Sequence, residues 1–331
     1  MNEMLTSLTA TLQALLLLVS STGATEEASN IAAAVKSVNT IVQQQEEVVP
    51  LNTLNTSVGK SLVNILCTTK RGGAFNPISG SGVIIDSRGV ILTNAHVAQY
   101  VLLQGHLQNN PIKCSVRMDA PAKAKYTANV LFMPESWVNE YANSIREELP
   151  TGTGEGDYAL LLITGRTDGK PLQSIPFPAV DFNLQREVAN AGTQVLLSGY
   201  PAGFLGGAII QRSLWPVSTI TTIKKLMTFK TGSVDMFSLG GSIVAQSGSS
   251  GGTVVNKYGE LIGIITTSSQ ALSTDKRDLR AVTIHHIDRS IISHTGSNLN
   301  IFLQTDLKQL LATFEAEQKE NLLNIYKSVF E

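Results

Sequence analysis

From about residue 60 the chain is written in short apolar runs. "SLVNILCTT", "GSGVIID", "GVILTNAHV", "KCSVRM", "YTANVLFM" and "DYALLLITG" are rich in β-formers, and Gly, Pro, Asn or Asp bound them. Runs of this length and texture predict strands. After a connector containing "PLQSIPFP" the pattern resumes with "QVLLSGYP", "IIQRSLWPVSTITTI", "GGSIVAQ", "GTVVN", "ELIGIITT" and "LRAVTIHHI", which predict six more. "IIDSRGVIL" and "VVNKYGELI" read as hairpins with glycine late in the turn. Two successive sets of six strands predict an all-β chain built as two six-stranded antiparallel β-barrels rather than one sandwich.

The two ends are patterned differently. "LTSLTATLQALLLLVSS" carries Leu5, Leu8, Leu12, Leu15 and Val19 at helical spacing, and "TEEASNIAAAVKSVNTIVQQQEEVV" predicts a second helix. A signal peptide is the competing reading of the first, with small residues near Ala24 as a cleavage site. Glu3 and the lack of Lys or Arg at the start speak against its positive n-region. The run is also too short and too rich in Ser and Thr for a membrane span. In the tail, Leu303, Leu307, Leu310, Leu311, Phe314, Leu322, Ile325, Tyr326 and Val329 predict one long amphipathic helix with Thr305 as its N-cap. Such a helix packs on its own domain or takes a partner. The expected organisation is a helical extension or leader over 1–57, a two-barrel domain over 58–290, and a C-terminal helix over 291–331. Barrel one should span about 60–166 and barrel two about 190–290.

Composition changes this picture mainly by exclusion. The 331 residues are 43% hydrophobic and 15% charged with net charge −1, which leaves no electrostatic footprint for nucleic acid. Cys67 and Cys114 stand in neither CxxC nor Cys/His ligand spacing, so no zinc site is expected. His285 and His286 are adjacent, and on a strand they would face opposite ways and could not chelate together.

Candidate chemistry sits in three places. "QSGSSGGTVV" sets two serines among four glycines. Serine is a poor nucleophile unless a base takes its proton and N–H groups receive the oxyanion. Gly248 permits an unusual dihedral, and the N–H groups of Gly248 and Ser250 could converge on one point. In "ILTNAHVAQ" His96 follows an apolar strand, and in "GEGDYALLLI" Asp157 opens one. A carboxylate buried there needs donors, and an imidazole N–H is one. In a two-barrel fold all three fall in the cleft between the barrels. "GSSGG" also fits the G-x-S-x-G elbow of α/β-hydrolases, but that elbow needs a helix after the serine, and "TVVNKYGELIGIITT" is a hairpin.

These motifs resemble those of trypsin-like (chymotrypsin-fold) serine proteases, with the texture of the HtrA/Deg branch. "GSGVIIDSRGVILTNAHV" is similar to its strand–hairpin–strand leading to the histidine, "GDYALLLI" to its aspartate strand, and "GSSGGTVVNKYGELIGI" to its nucleophile loop; together they span about 60–290. The resemblance implies a serine endopeptidase acting on polypeptides without metal or cofactor. It implies His96 as base and then acid, Asp157 as its orienter, Ser250 as nucleophile, and an oxyanion hole from Gly248 and Ser250. Thr266 falls where the family often places Ser or Thr beside the aspartate. The side-chain pocket would draw on Val244, Ala245, Ile265, Thr266 and Thr267, with no carboxylate for Lys or Arg. The family's closed strand order makes the first and fourth strands neighbours, which implies a Cys67–Cys114 disulfide and an extracytoplasmic setting. Ser249 stands where digestive enzymes carry aspartate and Deg-type enzymes asparagine, so activation by a newly cut N-terminus is not expected. The residues after 290 are too few and too helical for a PDZ domain. The alternative is an inactive protease-fold binding module, and the helical ends leave room for self-association or membrane contact.

Overall fold

The computed structural model describes residues 48–69, 78–106, 111–147, 152–172, 176–230, 232–268 and 276–330. The helices expected before residue 48 lie outside the described residues. Among the described residues, no helix is long and apolar enough to cross a membrane.

Barrel one contains β1 (Leu62–Thr69), β2 (Ile78–Asp86), β3 (Val90–Thr93), β4 (Ile112–Met118), β5 (Lys123–Phe132) and β6 (Ala159–Arg166). They close in the order β1-β2-β3-β6-β5-β4, each neighbour antiparallel. Alternation on β1 sends Val63, Ile65 and Cys67 into one core with Ile84, Ile91 and Leu161. Closure of β1 on β4 sets Cys67 directly opposite Cys114, and the two are disulfide-bonded with Cα atoms 4.0 Å apart.

Barrel two contains seven strands where six were expected. They are β7 (Gln194–Gly199), β8 (Val217–Thr222), β9 (Lys225–Met227), β10 (Met236–Gly240), β11 (Thr253–Val255), β12 (Leu261–Ser268) and β13 (Leu279–Thr283). Their order is β8-β7-β11-β12-β13-β10-β9. The extra strand is β9, which follows β8 after two residues and lies in none of the expected runs. Ile223, 1% exposed, turns into the core and donates its N–H to the Thr193 carbonyl, while Lys224 donates to the Ser238 carbonyl. The chain thus leaves β7 and joins β10, so the two edges of the curled sheet are consecutive segments. The result is one closed barrel and one curled seven-stranded sheet, a two-barrel arrangement.

The helices are α1 (Leu51–Ser61), α2 (Ala95–Leu102), α3 (Glu135–Tyr141), α4 (Gly207–Arg212), α5 (Ile284–Thr295), α6 (Leu299–Gln304), α7 (Leu307–Glu317) and α8 (Lys319–Phe330). Several correct the strand reading. "IIQR" belongs to α4, and strand begins only at Val217. "GGSIVAQ" is mostly loop, because the strand there is β10 and Gly240, at φ +72°, turns the chain out of it. "LRAVTIHHI" ends as strand at Thr283, whose hydroxyl accepts the His286 N–H and caps α5. His285 and His286 therefore share the first turn of a helix rather than opposite faces of a strand.

The single tail helix is divided as well. Asp306, not Thr305, caps α7, its carboxylate accepting from the N–H groups of Lys308 and Gln309. Arg88 on the β2–β3 hairpin donates to the carbonyls of Leu303 and Thr305 and fixes that corner. Phe314, Leu322, Leu323, Tyr326 and Val329 are buried in the core of barrel one. Of the two readings of this apolar face, packing on the protein's own domain is the one observed.

The disulfide gives the first expectation. Reduction should lower the free energy of unfolding by about 2–4 kcal/mol, read as the difference in denaturant midpoint with and without reductant. Two alkylated thiols in non-reduced protein from its native compartment would refute the bond.

Candidate active site

His96 is the second residue of α2, just past the end of β3. Asn94, extended at the N-cap, does not cap the helix; its amide donates instead to the Asp157 carbonyl at 2.7 Å. The helix start is thereby tied to the segment carrying the aspartate. His96 meets that aspartate twice: Nδ1 lies 2.8 Å from Oδ2, and its backbone N–H donates to Oδ1 at 3.0 Å.

Asp157 ends the turn "GEGD", where Gly154 and Gly156 adopt φ of +89° and +67°. The carboxylate is buried, and Thr266 of β12 donates its hydroxyl to Oδ2 at 2.6 Å. Burial works against its charge. The charge and hydrogen bond of His96, the Thr266 hydroxyl and the His96 amide outweigh that and hold the Asp157 pKa below the ordinary carboxylate value. Burial likewise opposes an imidazolium at His96, but the Asp157 carboxylate prevails and raises its pKa above the usual 6.5.

Ser250 lies in the loop between β10 and β11. Gly248 and Gly251 there have φ of +92° and +83°. Space is as restrictive as conformation. A Cβ on Gly251 would stand 2.1 Å from the Ser81 carbonyl oxygen, and one on Gly248 would stand 2.6 Å from that of Tyr200. Glycine is required because both barrels press on this loop. Among the described residues, the N–H groups of Gly248 and Ser250 donate to no protein acceptor. They remain open to an incoming oxygen. The Ser250 hydroxyl is 3.5 Å from the Thr266 carbonyl, too far to be firmly held. Thr266 therefore touches Asp157 through its hydroxyl and Ser250 through its carbonyl, and links the site's parts.

The residues expected to form the side-chain pocket are placed differently. Val244 and Ala245 are 0% exposed and Ile265 is 2%, all packed with Leu197, Phe237 and Leu239 in the core of barrel two. Thr267 follows on β12. Ser249 is buried against Gly199, and its hydroxyl has no partner among the described residues.

Ser81 was not singled out from the sequence. Fully buried on β2, it donates its hydroxyl to the Gly248 carbonyl at 2.7 Å and accepts the Tyr200 N–H at 2.9 Å. Its own N–H donates to the Ser250 carbonyl at 2.7 Å, and its carbonyl accepts from the Thr93 hydroxyl at 2.7 Å. The signal was a serine between two glycines at the start of an otherwise apolar strand.

Two barrels meeting at an Asp–His pair and a serine in a glycine turn define the chymotrypsin type of fold. Residues 80–264 match the family described as trypsin-like peptidase domain, more than half the chain, and this chain belongs to that family. No curated protein matches. A solved serine endoprotease from Yersinia pestis is 21% identical, with 81% of this chain and 68% of that one covered at a TM-score of 0.45. That likeness adds nothing to the assignment, which rests on the family match.

Ser81→Ala would strand the buried Gly248 carbonyl and Tyr200 N–H. It should cost about 1–3 kcal/mol of stability in chemical denaturation. Unchanged stability would show that Ser81 does not hold the loop.

Proposed function

We propose that the protein is a serine endopeptidase that hydrolyses peptide bonds through an acyl-enzyme. The observation that carries the reading is the buried Asp157 carboxylate on His96 Nδ1, joined by the Thr266 hydroxyl and carbonyl to Ser250, whose turn offers two uncommitted N–H groups. With the Nδ1 proton held by Asp157, the neutral ring keeps its lone pair at Nε2. Nε2 takes the Ser250 proton as the hydroxyl attacks the scissile carbonyl, and Asp157 stabilises the imidazolium that forms. The N–H groups of Gly248 and Ser250 receive the oxyanion. His96 then gives its proton to the leaving amine, and water, activated by the same base, releases the acyl group.

Substrates are polypeptides. Val244, Ala245 and Ile265 are buried in the core and offer substrate no wall. The segments expected to form the pocket nevertheless hold no carboxylate to pair with Lys or Arg, which supports a preference for small or medium apolar side chains. The disulfide supports an oxidising, extracytoplasmic setting.

His96→Ala and Ser250→Ala should each lower kcat by several orders of magnitude with the fold intact by circular dichroism. Asp157→Asn should lose most activity through the wrong tautomer. A fluorophosphonate probe should label the wild type and not Ser250→Ala; folded but unlabelled wild type would identify a binding module instead. Cleavage-site profiling on a denatured protein should give apolar residues, and efficient cutting after Lys or Arg would reject the pocket assignment.

The base must be neutral, so kcat/KM should rise with pH through the His96 ionisation, and its midpoint should lie above the ordinary 6.5. A midpoint below that value would show that Asp157 does not govern the ring.

A further inference from the structure

We propose that Tyr326, in the last helix of the C-terminal extension, is a positioning residue for His96 and acts through Gln99. The inference rests on the reading of His96 as the base. Tyr326 is 0% exposed in the core of barrel one. Its hydroxyl donates to Gln99 Oε1 at 3.0 Å, and Gln99 Nε2 donates to the His96 carbonyl at 2.8 Å. A residue from α8 is therefore two hydrogen bonds from the main chain of the histidine, across 227 positions of sequence between Tyr326 and Gln99.

The polarity of the relay is determined. The His96 carbonyl only accepts, so the Gln99 amide must present its NH2 there. That leaves Oε1 facing the interior, where a buried acceptor needs a donor. Among the described residues, the Tyr326 hydroxyl is the donor placed to serve it. Gln99 is 3% exposed, so water is a poor substitute. Without the hydroxyl the amide loses the partner that fixes its orientation, and His96 loses a constraint on its backbone.

That constraint matters because α2 is short and has no side-chain cap at its start. Helices this short have little stability of their own and take their orientation from tethers. The first turn carries the imidazole, so a tilt of that turn moves Nε2 directly. The titratable groups that bear on this region are Asp157 at His96, with Tyr100 and Asp157 at Tyr326. Burial first, then Tyr100 and Asp157, pushes the Tyr326 pKa far above the ordinary phenol value. The hydroxyl therefore stays a donor throughout any assay range.

Tyr326→Phe removes the hydroxyl and keeps the ring. We expect kcat to fall about tenfold with KM within about twofold, short of the roughly hundredfold that a 1 Å misplacement costs. The His96 ionisation should move down as its contact with Asp157 loosens, both in the pH profile and in a direct NMR titration of the ring. Phe314→Leu, which disturbs the packing of α7 and leaves α8 and the relay unaltered in sequence, should lower Tm and leave kcat and the titration unchanged. If Tyr326→Phe fails to fold, Gln99→Met interrupts the same relay and should give the same kcat loss and titration shift. Unchanged kcat and unchanged His96 titration in the folded variant would overturn the proposal, even with a lower Tm. The NMR titration reads positioning without turnover. A wild type that neither cuts nor reacts with fluorophosphonate, but whose His96 titration shifts in the variant, would reject the protease reading and keep the relay.

Discussion

The site depends on keeping one carboxylate charged inside the protein. Burying an ionised group costs several kcal/mol unless donors surround it. Asp157 obtains its donors from three directions: the His96 ring, the His96 amide and the Thr266 hydroxyl. The first two come from α2 on barrel one and the third from β12 on barrel two. Neither barrel alone satisfies the aspartate. The requirement for charge compensation thus becomes a requirement that the barrels dock in one register. That register also brings Ser250 beside the Thr266 carbonyl.

Docking is enforced at close range by Ser81. Its N–H, hydroxyl and carbonyl all engage, and three of its four bonds cross to barrel two. The Ser250 loop has no space to relax because its glycines lie against carbonyl oxygens of both barrels. Glycine takes these left-handed dihedrals without strain, and the two sheets around the loop fix them, which leaves the proposed oxyanion donors open.

Much of this could be read in the sequence, and what could not has physical reasons. The barrels were legible because alternating apolar runs and turn residues report sheet directly. His96, Asp157 and Ser250 were legible because each breaks the pattern around it, a polar group at the end or start of an apolar strand, or serine inside glycine. The helix starts at Asn94 and Thr283 were missed because Val90, Ile91, Thr93 and Val282 before or beside them continue the strand texture, and the start at Gly206 because Ile209 and Ile210 inside the helix carry that texture. β9 was missed because it is three residues long, with Leu226 between Lys225 and Met227, and it is a strand only through pairing with β10, which was itself read one segment too late. Ser81 and Gln99 were missed for another reason. Ser81 satisfies backbone groups distant in sequence, and Gln99 joins a carbonyl one turn away to the hydroxyl of Tyr326 far along the chain; no local pattern encodes a distant partner.

The C-terminal helices and the disulfide come together at the same element. At its far end, α2 runs into Gln104, whose Oε1 accepts the Cys114 N–H at 2.6 Å, and Cys114 Sγ lies 3.4 Å from the Tyr100 carbonyl. At its start, Asn94 binds the Asp157 carbonyl. Between them Gln99 connects to Tyr326. An eight-residue helix without a cap is thus held at both ends and on its buried side by the closing seam of barrel one, the aspartate strand and the C-terminal extension. Its orientation is imposed from outside, not by its own propensity. A histidine mounted this way need not reorganise when a proton arrives, and low reorganisation is what the proposed acid–base role of His96 needs from its scaffold.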